Sequence, residues 1–168
     1  MKKFIIMSLM LLMAIGVNAQ KYAMVDMEYI TNNIPEYVRA NEVIKKETEK
    51  QQQIIDKKTK EVRELYKQYA SLESSMTKAD RESREAAILA KEKEVSELRQ
   101  RFFSPEGELE KLREKLITPI QDKIYEAVKK IALRDRYAMV IDRASAQGVI
   151  FADPSIDISN EVLRKLGY

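Results

Sequence analysis

The chain has no cysteine, no histidine and no tryptophan in its 168 residues. Without cysteine there is no disulfide, no thiolate metal site, no thiol nucleophile and no lipid-modified cysteine at a processed N-terminus. Without histidine, the commonest general base and the commonest metal ligand are missing. Glycine and proline are scarce, at four each. Such sparse punctuation favours long uninterrupted helix over a compact sandwich or barrel. The glycines, Gly16, Gly107, Gly148 and Gly167, stand alone, so no glycine-rich phosphate loop exists to serve a nucleotide-driven machine. No serine-centred nucleophile motif appears either.

What is present is charge, 34% of residues, and a length that suits one domain. The opening "MKKFIIMSLMLLMAIGVNAQ" is a separate element. Lys2 and Lys3 precede an apolar run from Phe4 to Val17, followed by small residues before a cut after Ala19. This predicts a cleaved signal peptide over 1–19; the apolar run is shorter than the roughly 20 residues a spanning helix needs. The formal charge of +3 includes both lysines, so the processed chain carries +1. A balance that small gives no argument for nucleic acid.

Residues 21–27 alternate without Gly or Pro and read as a strand. Thr31 or Asn33 can cap the helix that follows, and Pro35 suits its first turn. Ile34, Asn41, Thr48, Ile55, Val62, Tyr69 and Met76 then recur every seven residues, with Tyr37, Ile44, Gln51, Lys58, Leu65 and Leu72 as companions. This is a patchy coiled-coil seam, polar between 41 and 51. "SSMTKAD", 74–80, reads as a turn. A second series, Ile88, Val95, Phe102, Leu109 and Leu116, has Leu98 and Leu112 as companions. It continues in phase across Ser104-Pro105, which predicts a kink there and another at Thr118-Pro119. Beyond lie Ile120, Ile124, Val128 and Ile131 at helical spacing.

Two matched seams joined by a turn make an antiparallel helical hairpin over 35–135, each side roughly 55–60 Å long at about 1.5 Å per residue. Such a hairpin explains why Tyr22-Ala23-Met24-Val25 has an echo in Tyr137-Ala138-Met139-Val140. The returning chain places strand 136–143 beside strand 21–27. "QGVIFADP" predicts a third strand over 147–153, hairpin-linked to the second. "DISNEVLRKLGY" predicts a short helix with Ser159 as cap, Glu161 in the first turn, Lys165 near the end and Gly167 as stop. The fold class is therefore mainly α with a small β body, 20–34 plus 136–168, carrying a helical arm whose tip lies near 74–80. Three short strands leave edges unpaired and one face exposed, and self-association would cure both.

Asp26 and Asp142 follow the apolar strands, and Asp153 ends the third segment. A carboxylate pair for acid–base or metal work is conceivable; strand-end aspartates capping turns are the preferred reading. The tip mixes Lys78, Arg81 and Arg84 with Asp80, Glu82 and Glu85, a pattern of surface pairing. Tyr66, Leu89 and Phe103 fall out of phase with the seam and leave spare apolar surface.

The order of these elements resembles the Skp (OmpH-like) periplasmic chaperone family. The matches are a signal, a first strand "YAMVDM", a charged helical hairpin, the strand "YAMVID" ending in Asp142, and a closing helix with Asp157-Ile158-Ser159 and Val162-Leu163. The resemblance implies a homotrimer with joined strands and three arms around a cavity. It implies an ATP-independent holdase for unfolded outer-membrane β-barrel proteins, located in the periplasm, without catalytic residues, cofactor, metal or nucleic acid. Body residues expected at the oligomer contact are Tyr22, Ala23, Met24, Val25, Tyr137, Met139, Val140, Ile141, Val149, Ile150 and Phe151. Arm residues expected to meet clients are Tyr66, Tyr69, Leu72, Met76, Leu89, Phe102 and Phe103. Relatives carry strongly basic tips; here the tip is mixed, so a membrane-surface contact is carried over and lipopolysaccharide-binding residues are not. The alternative is a structural coiled-coil envelope protein without clients.

Overall fold

The computed structural model describes residues 20–146 and 148–168; the expected signal peptide lies outside them. The chain forms β1 (Lys21–Val25), α1 (Met27–Asn32), α2 (Pro35–Leu72), α3 (Lys78–Phe103), α4 (Glu108–Asp135), β2 (Tyr137–Asp142) and α5 (Ser159–Leu166). It divides into two compact units. One is Ile34–Lys123; the other holds residues 20–33 together with the described residues of Ile124–Tyr168. No helix among the described residues is long and apolar enough to cross a membrane.

The helical unit is built on the two seams. Pro35 occupies the first turn of α2, where its missing N–H costs nothing. Ile44, Gln51, Ile55 and Val62 are buried on α2, and Ile88 and Phe102 on α3. The helices run antiparallel, since Lys58 meets Glu94 while Tyr69 meets Glu85. Towards its other end α2 packs on α4, where Ala40, Ile44 and Ile117 form a cluster with Tyr37, Leu112, Leu116 and Ile120. The tip is a 3-10 turn at Glu73–Ser75, after which the Thr77 hydroxyl caps α3 by accepting from the Asp80 N–H at 3.2 Å.

Ser104-Pro105 does not kink one helix; it ends α3, and a separate helix begins at Glu108. The reason is Gly107. Its N–H donates to the Ser104 carbonyl at 2.8 Å, closing a tight turn, and its carbonyl accepts from Lys111 as α4 starts. Arg101 and Glu108 bridge the break at 2.6 Å. At Thr118-Pro119 the helix continues, with Pro119 inside α4 and buried Ile117 and Ile124 to either side.

In the second unit β1 and β2 pair in parallel, with Tyr22 opposite Met139, Ala23 opposite Val140 and Met24 opposite Ile141. The two YAMV phrases are thus neighbours, displaced by two residues. A displacement of two keeps each side chain on its own face, whereas a slip of one would invert the sheet. Val25 ends the strand, and Asp26 caps α1 by accepting from the Tyr29 N–H at 2.8 Å. The expected caps serve elsewhere. Thr31 lies within α1 and donates to the Met27 carbonyl, and the Asn33 side chain donates to the Tyr29 carbonyl.

The third strand is absent over 148–153; Gln147 lies outside the described residues. The other edge of β1 is taken instead by Asp157-Ile158, with the Ile158 N–H donating to the Met24 carbonyl at 2.9 Å. The chain between Arg143 and Asp157 must therefore pass from β2 across β1, not alongside it. Phe151 and Pro154 line a hollow of about 430 Å³ with Met24, and among the described residues no β-hairpin forms with β2.

Gly167 ends α5 in the left-handed region, φ 95°, as its sequence position predicts. Ser159 is not the cap. Asp157 accepts the Ser159 N–H at 2.8 Å, and the Ser159 hydroxyl accepts from the Asp26 N–H at 2.8 Å, 133 positions away in sequence. Arg134 ties α4 to α5 through Glu161 and holds the Asp135 carboxyl below its ordinary range by hydrogen bonding. Ser159→Ala is expected to cost about 1–2 kcal/mol, because it strands a partly buried N–H. Urea denaturation monitored by circular dichroism measures this.

Candidate functional site: exposed apolar surface on the helix pair and the sheet

Among the described residues no cluster of three Asp or Glu could hold a metal ion. The strand-end aspartates are occupied as caps. Asp142 accepts from the Met27 and Ala144 N–H groups at 3.2 and 3.3 Å. Asp153 accepts from the Ser155 N–H, a hydrogen bond that lowers its pKa. Asp26 is engaged as described above. Polar groups in these positions do structural work, and the chemically informative surface is apolar.

On the helix pair, Tyr66 is 46% exposed, Leu89 62% and Phe103 42%. All three are the out-of-phase positions. Leu72 is exposed as well, although it belongs to the seam pattern; α2 ends there and no partner turn covers it. Tyr69 and Met76 are partly buried, and Phe102 is buried within the unit. Phe102 is thus core, and its neighbour Phe103 is the open one.

The helices are also joined by polar rungs. The Tyr66 hydroxyl donates to Glu92 at 2.9 Å, and Tyr69 donates to Glu85. Those hydrogen bonds raise both tyrosine pKa values, because ionising the phenol would lose the bond and face a carboxylate. Lys58 and Lys91 each reach Glu94 at 2.8 Å. Hydrogen bonds from these ammonium groups, Lys58 first, lower the Glu94 pKa to about 2. A depressed carboxylate stabilises the fold above its ordinary pKa of 4.5, and that contribution is lost as pH falls through about 2. The stabilisation from this rung is therefore expected to fade as pH drops from 4.5, while the rung itself opens in the folded protein only as pH nears about 2. A carboxyl ¹³C titration should show Glu94 titrating well below the other glutamates, and Lys58→Met should move it part of the way back.

On the sheet unit, Ala23, Met24 and Val25 are buried inside the chain, and Tyr137, Val140 and Ile141 are partly buried. Tyr22 and Met139, partners across the sheet, are 46% and 54% exposed. Val149 is 43% exposed, Ile150 103% and Phe151 81%. Ile150 and Phe151 have almost no cover from their own chain. The sequence pattern flagged this segment as apolar and strand-like; it could not show that the chain would leave it unpaired.

The model of the family described as outer membrane protein (OmpH-like) matches residues 21–166. The chain belongs to the OmpH-like family. Among solved structures, this OmpH-like chain is similar to a candidate outer membrane chaperone (OmpH-like) from Caulobacter crescentus CB15. The TM-score is 0.61 at 13% identity, over 90% of this chain and 86% of that one. At that identity the likeness is one of fold: long helices with a small sheet. No curated protein matches.

Proposed function

We propose that this OmpH-like chain is an ATP-independent holdase of the periplasm that keeps unfolded outer-membrane β-barrel proteins from aggregating. Membership of the family over 21–166 carries the reading. The open apolar side chains Tyr66, Leu89 and Phe103, together with Leu72, on a highly charged helix pair supply the physical means. An unfolded barrel strand exposes apolar side chains. Each contact with scattered apolar surface is worth about 25 cal/mol per Å² buried. None fixes a register, so the client is held in sum and remains mobile. Release then needs only a deeper sink, which membrane insertion provides.

The working unit in this reading is a homotrimer formed through the sheet. Ile150, Phe151, Tyr22 and Met139 offer the apolar contact, and the outer edge of β2 offers backbone groups. The helical hairpin acts as the arm, and cleavage after Ala19 delivers the chain to the periplasm. The mixed-charge tip is the point of any membrane-surface contact.

Diluting a urea-denatured outer-membrane β-barrel protein with and without this protein, and following light scattering, tests the function. Suppression is expected near one trimer per client. Equal aggregation in both arms would leave a structural envelope role. Multi-angle light scattering of the purified protein reports the stoichiometry, and a doubly substituted Ile150→Asp, Phe151→Asp chain is expected to elute as a monomer.

A further inference from the structure

The two long edges of the α2–α3 pair differ. One is closed. Lys58 pairs with Glu94 at 2.8 Å and Glu61 at 3.6 Å, and Lys91 with Glu94 at 2.8 Å. Ile54 shares that line with Lys58 and Glu61 on α2, and Ala87 lies seven residues before Glu94 on α3.

The other edge has no ion pair between α2 and α3 among the described residues; the Tyr66–Glu92 hydrogen bond crosses it, and two open hollows lie along it. Thr48 and Thr59 are eleven residues apart, about three helical turns, and Tyr66 is about two turns further, so all three share one line of α2. Leu89, Ser96 and Phe103, spaced by sevens, form the facing line of α3. Because the helices are antiparallel, Thr48 and Phe103 line one hollow, Thr59 and Ser96 a second, and Tyr66 reaches Glu92 beyond it. The three out-of-phase apolar residues therefore fall on one edge.

The hollow at Thr59 measures about 280 Å³ and is lined by Val62 and Val95 with Glu92 and Arg99. The one at Thr48 measures about 230 Å³ and is lined by Ile44, Phe102 and Leu109 with Glu110 and Arg113. Each combines apolar walls with one carboxylate and one guanidinium. The Thr59 hydroxyl is shut off from solvent and has no hydrogen-bond partner.

We propose that this open edge is the surface on which a client is held, and that its occupant is an extended segment of unfolded polypeptide. The inference rests on the chaperone reading above and assigns the holding to one side of the arm. An unfolded segment differs from a folded surface in offering free backbone donors and acceptors together with apolar side chains. Arg99 and Arg113 can donate to its carbonyls, Glu92 and Glu110 can accept from its N–H groups, and its apolar side chains enter the hollows. A phosphate-bearing partner would call for clustered positive charge, and here each arginine comes with a carboxylate. Thr48 and Thr59 are about 16 Å apart along α2, which about five residues of extended chain cover. That is the length of one ordinary strand.

The absence of native cysteine makes the test clean. Ser96→Cys places a thiol on the open edge, and Ala87→Cys and Ile54→Cys place one on the ion-paired edge, the last at an exposed aliphatic position. Each full-length protein carries a thiol-directed photo-cross-linker and meets a urea-denatured outer-membrane β-barrel protein. Several-fold greater client cross-linking from position 96 than from either control is expected. Equal or reversed yields, with aggregation still suppressed, would overturn the assignment of the edge. Failure of the unmodified protein to suppress aggregation would instead overturn the chaperone reading beneath it.

Discussion

Ile30→Ala is expected to lower the unfolding free energy by about 2–5 kcal/mol, the range for deleting a fully buried isoleucine and leaving a hole behind it. Ile30 has no exposed surface. It sits on the short helix α1, which packs against α5. A six-residue helix is far too short to persist alone, so its stability comes from that packing. Losing it also loosens the Tyr29 hydroxyl's bond to Asn160 and the Asp26 cap. Ile30→Val keeps most of the volume and is expected to cost about 0.5–1.5 kcal/mol. Chemical denaturation at one fixed protein concentration measures both, since any self-association would make the apparent stability depend on concentration. A small loss in the alanine variant would mean that the α1–α5 contact contributes little.

Gly107→Ala is the second large effect, expected to cost about 1–3 kcal/mol through overpacking. A Cβ at this position would lie 2.7 Å from the Phe102 carbonyl oxygen and 2.9 Å from that of Ser104. Both are backbone atoms and cannot swing aside. Relief would require opening the turn that separates α3 from α4 and breaking the Gly107–Ser104 hydrogen bond. Arg101 and Glu108 hold the two helix ends from outside, so the strain would pass into the helices. Thermal denaturation followed at 222 nm should show the shift, and Glu106→Ala, one residue earlier and exposed, should leave the midpoint nearly unchanged. Equal midpoints for the two variants would show that the turn yields easily.

These positions also mark where sequence was a good guide and where it failed. The seam was legible because burial follows a seven-residue rhythm through Ile44, Ile55, Val62, Ile88 and Phe102. Pro35 and Gly167 were legible because each acts through its own backbone. Out-of-phase Tyr66, Leu89 and Phe103 were legible as spare surface; that they share an edge needed the antiparallel register. Helix α1 was missed because its decisive cap, Asp26, looks the same as a strand-end aspartate. The break before Glu108 was read as a kink because the seam stays in phase across it, while the steric demand at Gly107 exists only once Phe102 and Ser104 are placed. Ser159 looks like a local cap, and its true partner, the Asp26 N–H, lies at the far end of the chain. The exposed Val149-Ile150-Phe151 segment has the composition of a strand, but composition does not choose an edge: Asp157 takes the free edge of β1, and the segment pairs with neither β1 nor β2.

The parallel pairing of β1 with β2 has a kinetic consequence. Lys21 and Tyr137 must find each other across the whole helical hairpin, and contacts so distant along the chain are slow to form because the loop must close before they contribute. The hairpin can start from closer partners at its tip, such as Tyr69 and Glu85, and zip towards Ile44 and Ile117. As the polypeptide is made, its first strand has no mate until nearly all of the rest has followed. During that interval the first strand stays exposed as an unpaired, apolar, strand-forming segment, the kind of surface through which incomplete chains aggregate.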